Sequence, residues 1–321
     1  MPIETTLISQ TKELIEKYDT ISILTHINPD ADTIATALGV YTLLKKHTTK
    51  RLEIINVNKD LPRHLDFLEY FNKFKHKIEF ENSLIISCDC ANIDRIGIDI
   101  TKREILNIDH HQDNEYYGNI NIIMPQYASA SLVAYELFKT LYPICKQSAT
   151  AFYTALLSDT RYFTTDSVNA DVFIKANELL SFGVDAKIVA LNITQRRSLA
   201  SLRILQRVLN SLELYNNAQI AYTQATQKDI KACGATMPDM DGIVDYGKSL
   251  SCVEISIFVI ELEDSYRVSL RSKNIDISKL AQVFGGGGHK VACGFSINKT
   301  NLNDIKDKIL KQIYEIGLLN G

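Results

Sequence analysis

The sequence has no tryptophan, only 6 prolines, and cysteine in modest number, 6 among 321 residues. The cysteines form no Cys-x-x-Cys pair, and Cys88-x-Cys90 alone supplies too few thiolates for a structural zinc site. We therefore expect reduced cysteines in a cytoplasmic protein. Apolar stretches such as Ile255 to Ile260 are far shorter than the ~20 residues that cross a bilayer. The N-terminus lacks a basic segment followed by an apolar block, so we expect neither a membrane span nor a secretion signal.

A net positive charge is also missing. Lys+Arg 35 against Asp+Glu 38 gives −3. Proteins that hold long nucleic acids by neutralising phosphates usually have a basic face, so this class is disfavoured. A short phosphorylated ligand held by metal ions needs no such face. With 45% hydrophobic and 23% charged residues the composition is that of a globular protein, and the length predicts about two domains.

Short apolar runs alternate with longer helical patterns in the first half of the chain. Strands are predicted at 21–26, 52–57, 84–89, 105–109 and 119–123, and helices at 31–46, 63–71, 129–141, 148–157 and 168–182. Strands that are apolar throughout and alternate with helices are typical of a mostly parallel sheet covered on both faces. The fold class is therefore α/β, with a first domain at 1–185.

The pattern changes after residue 185. A helical linker is predicted over 186–215, including an amphipathic helix at 198–214. Strands are expected at 219–223, 253–262 and 266–270, the last two as a hairpin, followed by a helix at 277–284, a strand at 291–297 and a helix from 302. These elements predict a smaller α/β domain over 216–321.

Acidic and histidine side chains gather where the predicted elements of the first domain end. They are His26, Asp30, Asp32, Asp89, Asp109, His110, His111 and Asp159. Ligands of open α/β sheets bind beyond the carboxyl ends of the strands. One such residue alone is often a cap or a turn former, and Asp32 as an N-cap and His26 as a buried polar residue are the structural alternatives here. Because acidic or histidine residues follow predicted elements at four places, a binding site is favoured over four separate caps or turns.

The chemistry of such a cluster follows from charge. Carboxylates packed together repel one another and must bind protons or cations. Mixed aspartate and histidine shells with a shared carboxylate suit two divalent ions about 3.5–4 Å apart. Oxygen-rich sets without thiolates favour Mn²⁺ or Mg²⁺, so we expect two divalent cations, Mn²⁺ before Mg²⁺. A lone zinc ion would leave too many carboxylates without a partner.

The second domain carries four successive glycines, Gly285 to Gly288, followed by His289. Their backbone N–H groups could contact a phosphate closely. The run is neither a Walker A loop nor a dinucleotide fingerprint, and a flexible linker is the alternative interpretation. Arg271 ends a predicted strand and could bind a phosphate through two hydrogen bonds, or be an ordinary surface arginine.

These residues carry a family resemblance. Asp109-His110-His111, with His26-x3-Asp30-x-Asp32, Asp89 and Asp159, resembles the four-motif signature of the DHH phosphoesterase superfamily. The segments 268–273 and 285–295 resemble the DHHA1 domain that follows it. The resemblance covers nearly the whole chain and is strongest to bacterial nanoRNases that are also phosphoadenosine-phosphate phosphatases. It implies hydrolysis of very short oligonucleotides and linear dinucleotides to mononucleotides, and of 3′-phosphoadenosine 5′-phosphate to AMP.

The resemblance also implies a site in a cleft between the two domains, and it assigns roles. One metal would be held by His26, Asp30 and Asp89, and the other by Asp32, Asp89, His110 and Asp159. His111 would face the scissile phosphate while Asp109 orients His110. The other end of the substrate would contact Arg271, Ser272, Gly286, Gly287, Gly288 and His289.

The chain departs from the family at two positions, and other functions stay open. Arg161 stands where the family often has glycine, and Cys293 where a small residue is usual. The alternatives are a single-strand-specific exonuclease on longer DNA, a manganese inorganic pyrophosphatase, and a non-catalytic nucleotide-binding regulator. Because tryptophan is absent, any base stacking must use tyrosine or phenylalanine. The oligomeric state, including a homodimer, also stays open.

Overall fold

The computed structural model of the chain describes residues 3–319. The chain divides into two compact units, of which the first ends at Arg196 and the second begins at Arg197. The assignment of 186–215 as a linker between domains stays a prediction. Within 3–319, no helix combines the length and the apolar character that a membrane span requires.

The first unit is built on six strands and six helices within the described residues. The strands are β1 (Thr20–Leu24), β2 (Arg51–Ile55), β3 (Phe74–Lys75), β4 (Leu84–Cys88), β5 (Ile105–Asp109) and β6 (Ile120–Ile123). The helices are α1 (Thr5–Lys17), α2 (Ala31–His47), α3 (Ala130–Phe138), α4 (Lys146–Asp159), α5 (Ala170–Ser181) and α6 (Ala186–Gln195).

The strands form one sheet in the order β3-β2-β1-β4-β5-β6, and every pairing is parallel. The predicted parallel α/β sheet is thus confirmed. The chain runs outward from β1 through β3 and then returns to the other side of β1 with β4. This reversal places the carboxyl ends of β1 and β4 side by side, with Leu24 paired to Ser87. Open α/β sheets bind ligands at such a reversal.

Helix α2 lies at the centre of the first unit. Asp30 caps it by accepting a hydrogen bond from the Thr33 N–H at 3.1 Å, and every residue from Ala31 to Leu44 is buried. A helix that is apolar on all sides must be covered on all sides. Its main helical neighbour is α4. The two helices approach so closely that a Cβ at Gly39 would lie 2.3 Å from the ring of Phe152.

In the first unit one predicted helix is wrong, and helix α1 was not predicted, whereas α6 falls within the predicted helical linker. Residues 63–71 form short 3-10 turns at Arg63–Leu65 and Phe71–Lys73, separated by Tyr70 with a left-handed φ of 66°. A residue in that conformation interrupts a right-handed helix. Helices α1 and α6 bury few of their described side chains, three in α1 and Val189 in α6.

The second unit is a mixed sheet with helices. Its strands are β7 (Glu213–Tyr215), β8 (Ile220–Ala225), β9 (Ile255–Glu261), β10 (Ser265–Ser272), β11 (Gly287–His289) and β12 (Ala292–Asn298). Its helices are α7 (Leu199–Asn210), α8 (Gln227–Cys233), α9 (Val244–Lys248), α10 (Ser278–Val283) and α11 (Leu302–Glu315). The order is β11-β12-β10-β9-β8-β7, with only β8 and β9 parallel among the described strands.

Alternate side chains of β9 enter two separate apolar cores. Ile257 and Val259 pack in the core that includes residues of α10 and α11, whereas Phe258 and Ile260 pack in the core that includes residues of α7 and α9. Successive side chains of a strand point to opposite faces, so both faces of this sheet are covered. The predicted second α/β domain is confirmed in its fold class.

The close contact of α2 and α4 generates a stability prediction. Gly39→Ala should destabilise the protein by about 1–3 kcal/mol, because the added methyl group collides with the Phe152 ring in a packed core. An alanine in an uncrowded helix would instead stabilise it. Thermal or urea unfolding of purified protein measures the effect. In a Phe152→Leu background the same substitution should lose much of its effect, and an unchanged penalty there would contradict the contact.

Candidate metal centre

Eight acidic and histidine side chains converge at the carboxyl edge of the parallel sheet. Seven of them form three overlapping groups whose nitrogen and oxygen atoms lie within 4.8 Å of one another. The groups are His26, Asp30 and Asp89; Asp32, His110 and Asp159; and Asp89, His110 and His111. The eighth, Asp109, is the last residue of β5 and lies behind His111. The cluster predicted from the sequence is therefore brought together within the first unit.

The separations within the cluster are slightly longer than those of atoms that share a cation. His26 Nε2 lies 3.7 Å from Asp89 Oδ2 and 3.8 Å from Asp30 Oδ2. His110 Nε2 lies 3.6 Å from Asp89 Oδ1. These distances are too long for hydrogen bonds. Ligand atoms that each lie about 2.1 Å from one ion are separated by roughly 3–3.5 Å in tetrahedral or octahedral geometry.

Asp89 gives the sharpest sign that the cluster suits a cation. Its carboxylate is buried, and Oδ1 has no hydrogen-bond partner among residues 3–319. A buried carboxylate oxygen without a donor is unfavourable unless a cation or a proton satisfies it. Asp89 also has a left-handed φ of 57°, and its backbone N–H donates to the Ile108 carbonyl at 2.9 Å. The residues present fit divalent cations.

The two inner histidines are oriented by backbone carbonyl groups. His26 Nδ1 lies 2.8 Å from the carbonyl oxygen of Ile27, and His110 Nδ1 lies 3.2 Å from that of Tyr127. A carbonyl oxygen can only accept, so each Nδ1 carries the proton and each Nε2 keeps a lone pair toward the carboxylates. This is the tautomer that a metal ligand needs.

Asp32 is held by the N-terminus of a neighbouring helix. Its Oδ2 accepts from the Ala130 N–H at 2.8 Å and its Oδ1 from the Ser131 N–H at 3.3 Å and the Thr36 hydroxyl at 3.0 Å. These donors belong to the first turn of α3 and to α2. The sequence alternative, Asp32 as the N-cap of its own helix, is wrong because Asp30 occupies that position.

Burial and mutual repulsion raise the carboxylate pKa values. Burial first, and then the charge of Asp30, raise the pKa of Asp32 to about 7. Burial followed by the charges of neighbouring aspartates raises the pKa of Asp89 and of Asp159 well above the usual range. Burial lowers the pKa of His26. In the absence of a cation, the centre therefore holds protons on its carboxylates near neutral pH.

Asp109 and His111 form a separate, charge-assisted pair. Asp109 Oδ1 accepts from His111 Nδ1 at 2.7 Å, and its Oδ2 accepts from the Asn114 side chain at 2.5 Å. Burial alone would lower the pKa of His111, but the Asp109 bond and nearby carboxylates raise it overall. The expectation that Asp109 orients the ring of His110 is wrong. Asp109 accepts a hydrogen bond from the backbone N–H of His110 at 2.8 Å, whereas the ring Nδ1 of His110 lies at the Tyr127 carbonyl.

Sequence reasoning missed two neighbours of the centre. Arg95 follows β4 in a 3-10 turn, and its Nη2 lies 3.3 Å from His26 Nδ1. Asn114 joins the Asp109 carboxylate to the Cys90 carbonyl. Neither residue directly follows a predicted strand or helix, so the pattern of element ends does not indicate them. A search for polar residues in the loops that follow β4 and β5 would have included both.

The predicted substrate contacts in the second unit lie along adjoining strands. Arg271 on β10 and His289 on β11 both pair with Ala292 of β12, which lies between them. Arg271 Nη1 donates to the Leu270 carbonyl at 2.9 Å, and its Nε lies 3.9 Å from Asp245. Ser272 is buried and donates its hydroxyl to the Ile275 carbonyl.

The glycine run is more regular than predicted. The N–H groups of Gly285 and Gly286 donate to carbonyl groups at the end of α10, at 2.9 Å each, so the expectation that they contact a phosphate is wrong for these two. Gly287 and Gly288 belong to β11. Gly288 has φ 135°, and a Cβ there would lie 2.5 Å from the Ala292 carbonyl oxygen. Glycine is thus required there for close pairing with β12, and the linker interpretation is also wrong.

Comparison with known proteins agrees with this architecture. Residues 20–157 match the model of the DHH family N-terminal domain, and residues 217–315 match that of the DHHA1 domain. The chain is 28% identical to a probable bifunctional oligoribonuclease and PAP phosphatase NrnA of Streptococcus mutans, over 87% of this chain and 90% of the relative. It is 26% identical to the bifunctional oligoribonuclease and PAP phosphatase NrnA of Bacillus subtilis, over 93% and 95%.

Solved structures share the fold. An exopolyphosphatase-related protein from Bacteroides fragilis superposes with a TM-score of 0.89 at 25% identity, over 98% of each chain. RecJ from Thermus thermophilus, solved in complex with Mn²⁺, gives a TM-score of 0.57 at 12% identity over 97% of this chain and 54% of RecJ. With both domain models matched in order, the chain belongs to the DHH family of phosphoesterases and carries a DHHA1 domain.

Proposed function

We propose that this enzyme hydrolyses very short oligonucleotides, such as nanoRNA and linear dinucleotides, to mononucleotides, and 3′-phosphoadenosine 5′-phosphate to AMP. The observation that carries the proposal is the set of overlapping carboxylate and histidine groups joined through Asp89 and His110. Relatives named as oligoribonucleases and PAP phosphatases align with nearly the whole chain. We further propose that it acts in the cytoplasm, where its six unpaired cysteines would stay reduced.

Two divalent cations, preferentially Mn²⁺, would complete the centre. One would be held by His26, Asp30 and Asp89, and the other by Asp32, Asp89, His110 and Asp159. The donor set is oxygen and imidazole nitrogen without thiolate, which suits Mn²⁺ and Mg²⁺. When bound, such a pair supplies Lewis-acid polarisation of a phosphoryl group and activates water as a nucleophile.

The protein itself supplies a proton-bearing imidazole next to the cluster. His111 Nδ1 lies 3.6 Å from Asp89 Oδ1 and is held by Asp109 at 2.7 Å. The hydrogen bond to Asp109 and the nearby carboxylates outweigh burial and raise the pKa of His111, which favours a ring that carries both protons. The Nε2–H group can then donate to a phosphoryl oxygen on which negative charge develops. Asn114 keeps Asp109 in place for this task.

The second unit would contribute the contacts to the non-reacting part of the substrate. Arg271 and His289 lie at the same register position of the sheet, one strand either side of Ala292. Neighbouring strands are about 4.8 Å apart, so the backbones of these two residues are separated by roughly 10 Å. We assign Ser272, Gly286, Gly287 and Gly288 to the support of these two side chains.

Asp89→Asn tests the proposed activity. Asparagine tolerates the left-handed φ of this position, so the fold should persist. Turnover of a dinucleotide and of phosphoadenosine phosphate should fall by several orders of magnitude, since both cation positions lose a ligand. Asp94→Asn, which changes an exposed acid of the adjacent 3-10 turn, is the control and should keep wild-type rates.

The substrate panel for that test includes a long single strand and pyrophosphate. Rates with Mn²⁺ should be highest on the dinucleotide and phosphoadenosine phosphate. Comparable rates on the long strand would favour the exonuclease alternative, and hydrolysis of pyrophosphate alone would favour the pyrophosphatase. Full activity after metal removal would exclude the proposed centre.

The raised carboxylate pKa values predict an unusual pH dependence for the metal-free protein. Asp32, with a pKa of about 7, Asp89 and Asp159 bind protons in the folded state that the unfolded chain has released above about pH 4. Their contribution to stability is complete below that pH and is lost as the pH rises through the folded-state values. In EDTA, Tm should therefore fall between about pH 5 and 8.

Thermal unfolding in EDTA and in saturating Mn²⁺ checks this dependence. Bound cations replace the protons, so Mn²⁺ should raise Tm most at the alkaline end. Asp32→Asn should flatten the EDTA profile. Asp99→Asn is the control, because hydrogen bonds from Thr101 lower the pKa of that exposed carboxyl and it titrates below this range. A Tm that increases with pH in EDTA would contradict the electrostatic account.

Arg271→Ala tests the role of the second unit. Loss of a charge-assisted contact to the non-reacting phosphate should lower kcat/KM by about 2–4 kcal/mol, mainly through KM, since the contact exists before and during the reaction. Arg267→Ala removes a positive charge four residues earlier on the same strand and should have little effect. A small chromogenic phosphodiester should show almost no loss with Arg271→Ala. An equal loss on that diester would place Arg271 at the reacting centre instead.

A further inference from the structure

One hydroxyl group connects the two sides of Asp89. The Tyr117 hydroxyl lies 2.9 Å from the Cys90 carbonyl oxygen and 2.7 Å from the Ser87 hydroxyl. A carbonyl oxygen can only accept, so Tyr117 donates to Cys90 and Ser87 donates to Tyr117. The phenol group therefore bridges the last-but-one residue of β4 and the residue that follows Asp89.

The backbone of Asp89 needs support of this kind. Its φ of 57° is left-handed, and a residue with a Cβ keeps this conformation only when its surroundings hold it there. Before the side chain, the Asp89 N–H is fixed by the Ile108 carbonyl at 2.9 Å. After it, the Cys90 carbonyl accepts from Tyr117 and, at 3.2 Å, from the Asn114 side chain. These bonds set the direction in which the Asp89 side chain leaves the backbone.

Tyr117 is itself held firmly by groups outside the metal centre. Its ring packs against the apolar cluster that includes Leu24 and Ile85. Burial raises the pKa of Tyr117, so the hydroxyl keeps the proton that it donates. The Glu115 N–H also donates to the Ala91 carbonyl at 2.9 Å, which joins the loop after β5 to the loop after β4. The hydroxyl thus reaches Cys90 from a packed and hydrogen-bonded support.

Apolar packing alone does not require a hydroxyl group at this position. A phenylalanine would place the same ring in the same apolar cluster. In the part of the chain that the structure describes, both partners of the hydroxyl flank Asp89. Asp89 is also the carboxylate that both proposed cation positions share. The hydroxyl therefore acts on the residue whose orientation matters most to the centre.

We propose that Tyr117 is a positioning residue of the metal centre. Its hydroxyl, together with that of Ser87, holds the backbone around Asp89 in the conformation from which the carboxylate reaches both cation positions. Tyr117 contacts neither cation itself. The proposal deepens the proposed function and rests on the proposed centre for the role of Asp89.

Tyr117→Phe removes the hydroxyl and keeps the ring in its apolar cluster. Mn²⁺ affinity, measured by calorimetry on the folded protein without substrate, should weaken by about 10-fold, the scale for losing a group that orients a metal ligand. In the assay on a dinucleotide, half of the maximal rate should require about 10-fold more Mn²⁺. The kcat at saturating Mn²⁺ should change by less than about 3-fold, because excess cation restores the bound state.

Ser87→Ala breaks the other half of the bridge. It should weaken Mn²⁺ binding less than Tyr117→Phe does, because the bond from Tyr117 to Cys90 persists. The double variant should match Tyr117→Phe alone, since the Ser87 hydroxyl acts through Tyr117. Losses that simply add would contradict this coupling.

A matched control exists in the second unit. The hydroxyl of Tyr266 donates to the Thr300 carbonyl, also at 2.9 Å, and the residue is buried. Tyr266→Phe and Tyr117→Phe should each lower Tm in EDTA by a few degrees, because each removes one hydrogen bond to a backbone carbonyl. Only Tyr117→Phe should weaken Mn²⁺ binding.

The outcomes distinguish this proposal from the proposed function. A Mn²⁺ affinity within about 2-fold of wild type in Tyr117→Phe, or an equal loss in Tyr266→Phe, would overturn the proposal and assign the hydroxyl to stability alone. If Tyr117→Phe does not fold, the Mn²⁺ affinity of Ser87→Ala decides in the same way. A wild-type protein that binds Mn²⁺ but hydrolyses no nucleotide would refute the function, and calorimetry would still decide the proposal. A wild-type protein that binds no Mn²⁺ would refute both.

Discussion

Mutual repulsion of buried carboxylates is the constraint around which the first unit is organised. Asp32, Asp89 and Asp159 are brought together by three different elements, although their charges and their burial oppose it. The apolar packing of α2 against α4, down to the close contact of Gly39 with Phe152, holds the ends of these elements in place. In the absence of cations, repulsion among the buried carboxylates destabilises the protein, and the packing of the core offsets this loss.

Neutral groups do the orienting at this centre. Backbone carbonyl groups fix the rings of His26 and His110, and backbone N–H groups at the start of α3 hold Asp32. The ring of His111 is instead oriented by a carboxylate, that of Asp109, and this bond raises its pKa. The arrangement separates two chemical tasks, because imidazoles that keep a lone pair on Nε2 can bind cations, while the imidazole bonded to Asp109 can donate a hydrogen bond.

The location of the metal centre could be predicted from the sequence, because it follows from one geometric rule. The individual side-chain contacts within the centre could not. Carboxyl ends of parallel strands meet at one edge, so Asp89 and Asp109 could be placed together without knowledge of any side-chain contact. That rule does not predict contacts between side chains that lie one or two positions apart in the sequence. Asp109 can reach either neighbouring imidazole, and only the backbone conformation decides for the ring of His111. The helix predicted at 63–71 failed for a similar local reason, the left-handed Tyr70.

Left-handed backbone conformations follow two regular elements that end at the cluster. The chain leaves β4 through Asp89 at φ 57° and leaves α4 through the left-handed run that begins at Arg161. Regular strands and helices bring side chains to the carboxyl edge of the sheet. Their fixed geometry cannot also direct each of these side chains toward one common point. A residue in the left-handed conformation changes the direction of the chain sharply. Neighbouring hydrogen bonds must then stabilise this conformation. The unfavourable backbone conformations therefore occur where the regular elements end and where the direction of a side chain must be fixed.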